Sequence, residues 1–424
     1  MTLYLGKTNI THKLGTFMPS QSIHPITSQE KAYWAETRKQ FYLMDEITYL
    51  QGGTVGPSAK PIVEKINKLM CDYEADPLHR RHGDLLGPLV EVSREKLANF
   101  VGTTPDRIAL VLNTTMGMNI PAQGLVWDSG CEVLLSDQEY PAVRALWDWV
   151  AKRDGLRLKY ISLPTMPSSP NDIVKAYQRG FTDRTQVVIF SHVYFTTGLV
   201  APISDLTQLT HAHGAVAMVD GAHAVGMVPL NLSEVGCDFY SSSSHKWLLA
   251  PKGVGFLYMD AKYQNKIRPL IIGHNMKETD EASRYDVNGT RDLTHHACLG
   301  DAIDYQLDIG WETRIRPFCL GLARYMKAQA VERIRGARLT IPMDESMSGF
   351  ISSFSIDGID LPKVCQYLWS DYKIEMVSNQ TNGIPCFRVS THFYNSYDDI
   401  DKFINAVNEI IAKYPDVHLD KPNV

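Results

Sequence analysis

Long apolar runs are missing from this chain. No stretch approaches the length needed to cross a bilayer, and the opening Met1–Ser20 lacks the apolar core of a secretory signal. Cysteine is sparse and odd in number, seven residues scattered without Cys-x-x-Cys spacing. That excludes a disulfide framework, argues against a zinc knuckle and fits a reducing compartment. No basic stripe interleaved with aromatics is present, so nucleic acid is not expected as a partner. Charged residues make up 21% and mix both signs, leaving a net charge of −5. No internal repeat and no low-complexity linker interrupts the pattern. What remains is the profile of a cytoplasmic α/β enzyme.

At 424 residues, 44% of them hydrophobic, the chain suits a large domain with a smaller companion. Short apolar runs alternate with helical patterns. The predicted strands are Arg107–Asn113, Cys131–Asp137, Leu158–Leu163, Thr185–His192, Ala215–Asp220 and Gly253–Met259. Most carry Val, Ile and Leu on successive positions, as strands covered on both faces do. Between them lie predicted helices at Met116–Val126, Pro141–Asp154, Asn171–Phe181 and Ile203–His213. This alternation implies a mainly parallel sheet, with chemistry clustered beyond the carboxyl ends of its strands. From about Thr313 the pattern changes to helices at Trp311–Arg335, Leu361–Tyr372 and Tyr397–Tyr414 around short strands near Met347–Ile356 and Cys386–Ser390. The division expected is a patternless N-terminal segment, 1–50, packing on the smaller domain; a large cofactor-binding domain, 51–300; and a small α+β domain, 301–424.

The sharpest constellation runs from Ala215 to Gly255. An apolar strand ends in Asp220, followed by Gly221-Ala222-His223; then comes Ser241-Ser242-Ser243-Ser244-His245-Lys246-Trp247, read as a serine-rich turn, and a glycine-spaced strand. Each part has an ordinary reading. Asp-x-x-His can cap a helix, a lysine is usually a solvated charge, and four serines can form a loop. In this order they suit a pyridine aldehyde cofactor. The carboxylate keeps the pyridine nitrogen protonated, the lysine forms a Schiff base, and Ser243, Ser244 and His245 offer donors to a phosphate.

That order resembles the class V aminotransferase family of fold-type I enzymes, which use pyridoxal 5′-phosphate. The likeness covers the chain from about Gly52 onward. His-Lys-Trp followed by Ala250-Pro251-Lys252-Gly253-x-Gly255-Phe256-Leu257 is most similar to the isopenicillin N epimerase branch. The resemblance implies a mainly parallel seven-stranded sheet with a smaller C-terminal α+β domain. It implies that Lys246 carries the cofactor and Asp220 meets its ring nitrogen. Asn113-Thr114-Thr115 is similar to the family's Asn-Ala-Thr turn, which brings Thr114 and Thr115 to the phosphate at a helix N-terminus. Tyr140 takes the place of the ring-stacking residue. Ser191-His192-Val193-Tyr194-Phe195 matches the Ser-His-Val segment, but Phe195 stands where many members carry an asparagine for the 3′-oxygen, a contact that His223 can supply instead. Asn288-Gly289-Thr290 is similar to the Gly-Thr segment that reaches the neighbouring subunit's phosphate, so a homodimer is expected. Phe387-Arg388-Val389-Ser390 matches the Arg-x-Ser segment whose arginine grips a substrate carboxylate.

From these parts the expected reaction begins with an amino acid displacing Lys246, which then serves as base. Arg388 holds the carboxylate and the α-proton leaves. The product is set by the fate of the carbanion: epimerisation with Tyr140 as the second acid, elimination, or carbon–carbon bond or ring formation in secondary metabolism. A C–S lyase remains an alternative. A cysteine desulfurase is disfavoured because the expected loop Val377–Ile384 carries no cysteine. An idle binding protein of this fold is disfavoured because both Lys246 and Asp220 are present.

Overall fold

The computed structural model of the chain describes residues 26–82, 84–273, 280–286, 289–381 and 383–419. Its centre is a seven-stranded sheet: β1 (Ile108–Val111), β2 (Glu132–Ser136), β3 (Arg157–Ile161), β4 (Thr185–Ser191), β5 (Val216–Asp220), β6 (Phe239–Ser243) and β7 (Gly255–Met259), in the order β1-β7-β6-β5-β4-β2-β3. β7 runs antiparallel to both neighbours and the other pairs are parallel. The apolar runs are continuous because both faces are covered. Leu110, Val188, Phe190, Ala217 and Val219 enter one core, while Ala109, Val111, Val187, Ile189 and Met218 enter the other.

β6 is where structure and sequence reading part. Ser241–Ser243 are expected in the serine-rich turn and instead belong to a fully buried central strand, Phe239–Ser243. It tolerates serine because each hydroxyl finds a partner: Ser241 Oγ donates to Phe256 O at 2.9 Å, Ser242 Oγ donates to Gly221 O at 2.8 Å, and Ser243 Oγ lies 2.8 Å from Thr114 Oγ1. Only from Ser244 does the chain turn.

The second sheet is antiparallel: β8 (Ala337–Leu339), β9 (Ile351–Ile356), β10 (Val377–Thr381) and β11 (Ile384–Ser390), ordered β10-β11-β9-β8. The expected loop Val377–Ile384 is thus largely β10, paired to β11 with Val377 opposite Arg388. Helices Leu361–Tyr372 and Tyr397–Lys413 form as the apolar spacing predicts, whereas the segment expected as a helix over Trp311–Arg335 opens with a π turn, Trp311–Ile315, before the α-helix Arg316–Arg333. Ahead of both sheets, Ser28–Arg38 is a helix closed by a Thr27–Glu30 capping box. Trp34 stacks on Phe318 at 4.4 Å, and Thr48–Tyr49 pairs with Ile374–Glu375. Residues 28–50 therefore pack on elements of the chain's C-terminal part; residues 1–25 lie outside the described residues.

Candidate active site

The carboxyl ends of β1, β2, β4, β5 and β6 converge on one cavity of about 210 Å³, which Arg388 of β11 and Gly53 and Thr54 also line. Nine of the expected site residues line it: Thr114, Thr115, Tyr140, Asp220, His223, Ser243, His245, Lys246 and Arg388. Thr290 does not; it is exposed and lies outside this lining. Asn288 lies outside the described residues, and Ser244 is buried beside the cavity without lining it.

Lys246 is held by a tight turn after β6. Gly56 donates its N–H to His245 O at 2.8 Å, and a Cβ on Gly56 would collide with the Lys246 carbonyl. Leu249, three residues on, adopts φ 56°, a left-handed conformation costly for leucine and kept here by the surrounding packing. The Lys246 amine lies 3.1 Å from His223 Nε2 and 6.0 Å from the centroid of Tyr140. Burial brings its pKa down to about 8, against the pull of Asp220, with Arg388 helping to lower it.

Asp220 ends β5 and is 4% exposed. Its Oδ1 accepts the Ala222 N–H at 2.9 Å, and among the described residues no cation forms an ion pair with it. Burial raises its pKa, while the Ala222 bond and Lys246 act the other way. A buried carboxylate without a cation suits the protonated nitrogen of a pyridine ring. Opposite it, Thr114 starts the helix Thr114–Gly124 that Asn113 caps at Met116 N. The Thr114 side chain and Ser243 gather there with His245, whose Nδ1 is buried and unpartnered among the described residues. Hydroxyls, an orphan ring nitrogen and a helix N-terminus suit a phosphate. The cavity therefore fits pyridoxal 5′-phosphate at both ends: Asp220 would hold the ring nitrogen, and Thr114, Ser243 and His245 the phosphate.

Arg388 projects from β11, 5% exposed. Nη1 donates to Phe195 O at 3.1 Å, and Nη2 donates to Thr54 Oγ1 at 2.6 Å and Gln51 Oε1 at 3.2 Å. Nε is buried and unpartnered among the described residues. All three bonds go to neutral oxygens. Burial lowers this guanidinium to about 10, a cation awaiting an anion. Gln51 and Thr54 escaped sequence reading, because their partner lies more than 330 positions away. Phe195 meets the edge of Tyr140 at 5.2 Å, forming an aromatic wall. Beneath Tyr140, Glu139 is buried and accepts from Ser136 Oγ (2.7 Å) and Ser191 Oγ (2.6 Å); burial outweighs these bonds and lifts its pKa to about 7.

Known proteins resemble the chain over most of its length. The family model described as Aminotransferase class-V matches residues 48–403. The chain is 33% identical over 398 residues to an isopenicillin N epimerase of Amycolatopsis lactamdurans, covering 89% of this chain and 98% of that one. It is 29% identical to a probable cysteine desulfurase of Halobacterium salinarum, over 86% and 92% of the two chains. Among solved structures, a cysteine desulfurase of Escherichia coli superposes with a TM-score of 0.78 at 23% identity, covering 89% of this chain and 98% of that one. A mutant of C-DES, with glycine covalently linked to its PLP cofactor, superposes at 0.76 with 22% identity, over 87% and 98%.

Proposed function

We propose, for a chain that belongs to the class V aminotransferase family and uses pyridoxal 5′-phosphate, that it removes the α-proton of an amino acid that keeps its carboxylate. The observation that carries this reading is Arg388: a buried guanidinium bonded only to neutral oxygens, in the same cavity as the Lys246 amine. A carboxylate gripped there stays ionised and is not the group lost. When bound, the cofactor supplies a ring that takes up the negative charge left at the α-carbon.

The chain's own residues divide the remaining work. Asp220 keeps a cationic ring nitrogen paired. Lys246, whose amine is half deprotonated near pH 8, accepts the α-proton at Nζ. Tyr140 is assigned the ring-stacking position and, in an inverting enzyme, the acid on the opposite face. Inversion is favoured over elimination because the relatives named isopenicillin N epimerase are the more similar ones, 33% and 32% identical against 24% for one named hercynylcysteine sulfoxide lyase. Against desulfuration stands Cys386, 1% exposed within β11, its thiol pushed up to about 11 by burial. Carbon–carbon bond formation in secondary metabolism is the remaining alternative. The protein is assigned to a reducing compartment, the cytoplasm, on the odd number and scattered placing of its seven cysteines, and to a homodimer. Among the described residues no helix is long and apolar enough to cross a membrane.

The test is a panel of amino acids incubated with the PLP-loaded protein in D2O. α-Deuterium incorporation with retained carboxylate is expected; carbon dioxide as first product would sink the reading. Chiral chromatography of the same samples separates inversion from elimination.

A further inference from the structure

Trp247 follows the lysine and is wholly buried. Its indole N–H donates to His223 Nδ1 at 3.4 Å. Its carbonyl accepts from Gln306 Nε2 at 2.8 Å and from the His392 ring at 3.1 Å, and the His392 ring stacks against the indole with centroids 5.8 Å apart. His392 Nδ1 in turn accepts the Phe393 N–H at 2.9 Å. The indole is thus fixed by bonds and stacking on several sides, with its donor aimed at the ring that touches Lys246.

An indole N–H can only donate, so the imidazole nitrogen it meets must accept. A neutral imidazole carries one proton, which leaves that proton on His223 Nε2, the nitrogen 3.1 Å from the Lys246 amine. We propose that Trp247 is a positioning residue that fixes His223 as the Nε2–H tautomer, so that the ring offers a donor, never a lone pair, toward Lys246 and the cofactor's 3′-oxygen. The second half rests on the reading that pyridoxal 5′-phosphate binds beside Lys246; the tautomer does not.

The consequence is chemical. An ammonium also can only donate, so a donor at Nε2 opposes the charged lysine and favours the neutral amine, whose lone pair can accept it. The opposite tautomer would accept from the ammonium and hold the lysine protonated. Burial of both groups works in the same direction as the indole: His223 is driven well below its usual range and Lys246 downward too. The other charged groups facing the pair are Asp220, which favours the ammonium, and Arg388, which opposes it. The role missing at Phe195, where family members offer an asparagine donor, thereby passes to His223 with its proton held on the useful side.

The experiment is 15N NMR of [15N]histidine-labelled, PLP-loaded protein, with His223 identified among the 14 histidines by loss of its signals in His223→Gln. A protonated Nε2 and an unprotonated Nδ1 are expected. In Trp247→Phe, checked for native melting, the Nδ1–H form should appear and the pH midpoint of the visible cofactor band should move by about one unit, a tenfold change in the equilibrium. On a His223→Gln background the same substitution should leave the midpoint in place, because an amide carries its donors without help. An Nδ1–H tautomer in the unsubstituted protein overturns the proposal even if Trp247→Phe does not fold, and an unchanged tautomer in a folded Trp247→Phe does so as well. Absence of a visible band would instead count against the cofactor reading, and the tautomer would still be read.

Discussion

At the scale of single residues, the site places ionisable groups where water cannot screen them, and each is set by its neighbours. Lys246 is the plainest case. Its pKa of about 8, lowered chiefly by burial, means that the free amine grows in as pH rises through 8 and not through the usual value near 10.5. Capture of pyridoxal phosphate by cofactor-free protein, followed by stopped-flow absorbance, should therefore accelerate from pH 7 to pH 9 and level off above it; a rate still climbing at pH 10 would contradict that environment. Asp220 is set the opposite way. Burial raises its pKa, so it needs a cation, and the cation it meets is the one that matters most while charge develops on the ring. Asp220→Asn should lower kcat by roughly 10²–10⁴-fold, the effect of breaking a buried pair worth about 3–5 kcal/mol, while the dissociation constant for the cofactor changes far less. Weakened cofactor binding with an intact kcat would reverse the assignment.

At the scale of elements, Arg388 shows how a strand aims one side chain. β11 is held between β9 and β10, with Ser353 and Val377 opposite Arg388, and Thr54, Gln51 and Phe195 O then fix its planar head. Lysine keeps the charge and loses the fork. Arg388→Lys should cost about 1.5–3 kcal/mol of substrate binding, about 10–100-fold in kcat/KM, and steady-state kinetics near the unsubstituted value would show that the fork is not used. The elements that were legible from sequence are those whose apolar period has one explanation: β4, β5 and the helices Pro141–Asp154 and Leu361–Tyr372 emerge where the pattern puts them. β6 was not legible, because serine runs read as loops until Phe256 O, Gly221 O and Thr114 are there to receive the hydroxyls. β10 is polar, Val-Ser-Asn-Gln-Thr, and owes its strand form to pairing with β11. The helix Ser28–Arg38 carried a readable signal in Thr27 and Glu30, although its faces differ too little for periodicity to reveal it. At the site, the residues that act through local order could be read; Thr54 and Gln51, which act through a contact closed only by folding, could not.

At the scale of the whole molecule, Thr290 poses the question of what completes the site. It is exposed and stands apart from the cavity of its own chain, while the sequence around it is similar to a segment that serves a neighbouring subunit. Nearby in sequence, Leu270, Ile271 and Ile272 are 39%, 54% and 77% exposed, an apolar run that a second copy would cover. The expected arrangement is a homodimer in which Thr290 of one subunit donates to the cofactor phosphate of the other. Thr290→Ala should then weaken cofactor affinity by about 10–100-fold, the effect of losing one bond to a charged group, without altering the dimer seen by light scattering. A mixing experiment decides which cavity Thr290 serves. In a hybrid of Lys246→Ala and Thr290→Ala subunits, the site that keeps its lysine receives threonine from the other chain and is native in every respect. With the two poor variants mixed in equal amounts and re-equilibrated at limiting cofactor, about half of the dimers are hybrids with one native site of two, so about a quarter of native activity should return. If Thr290 serves its own cavity, every site in the hybrid carries a defect and mixing restores nothing.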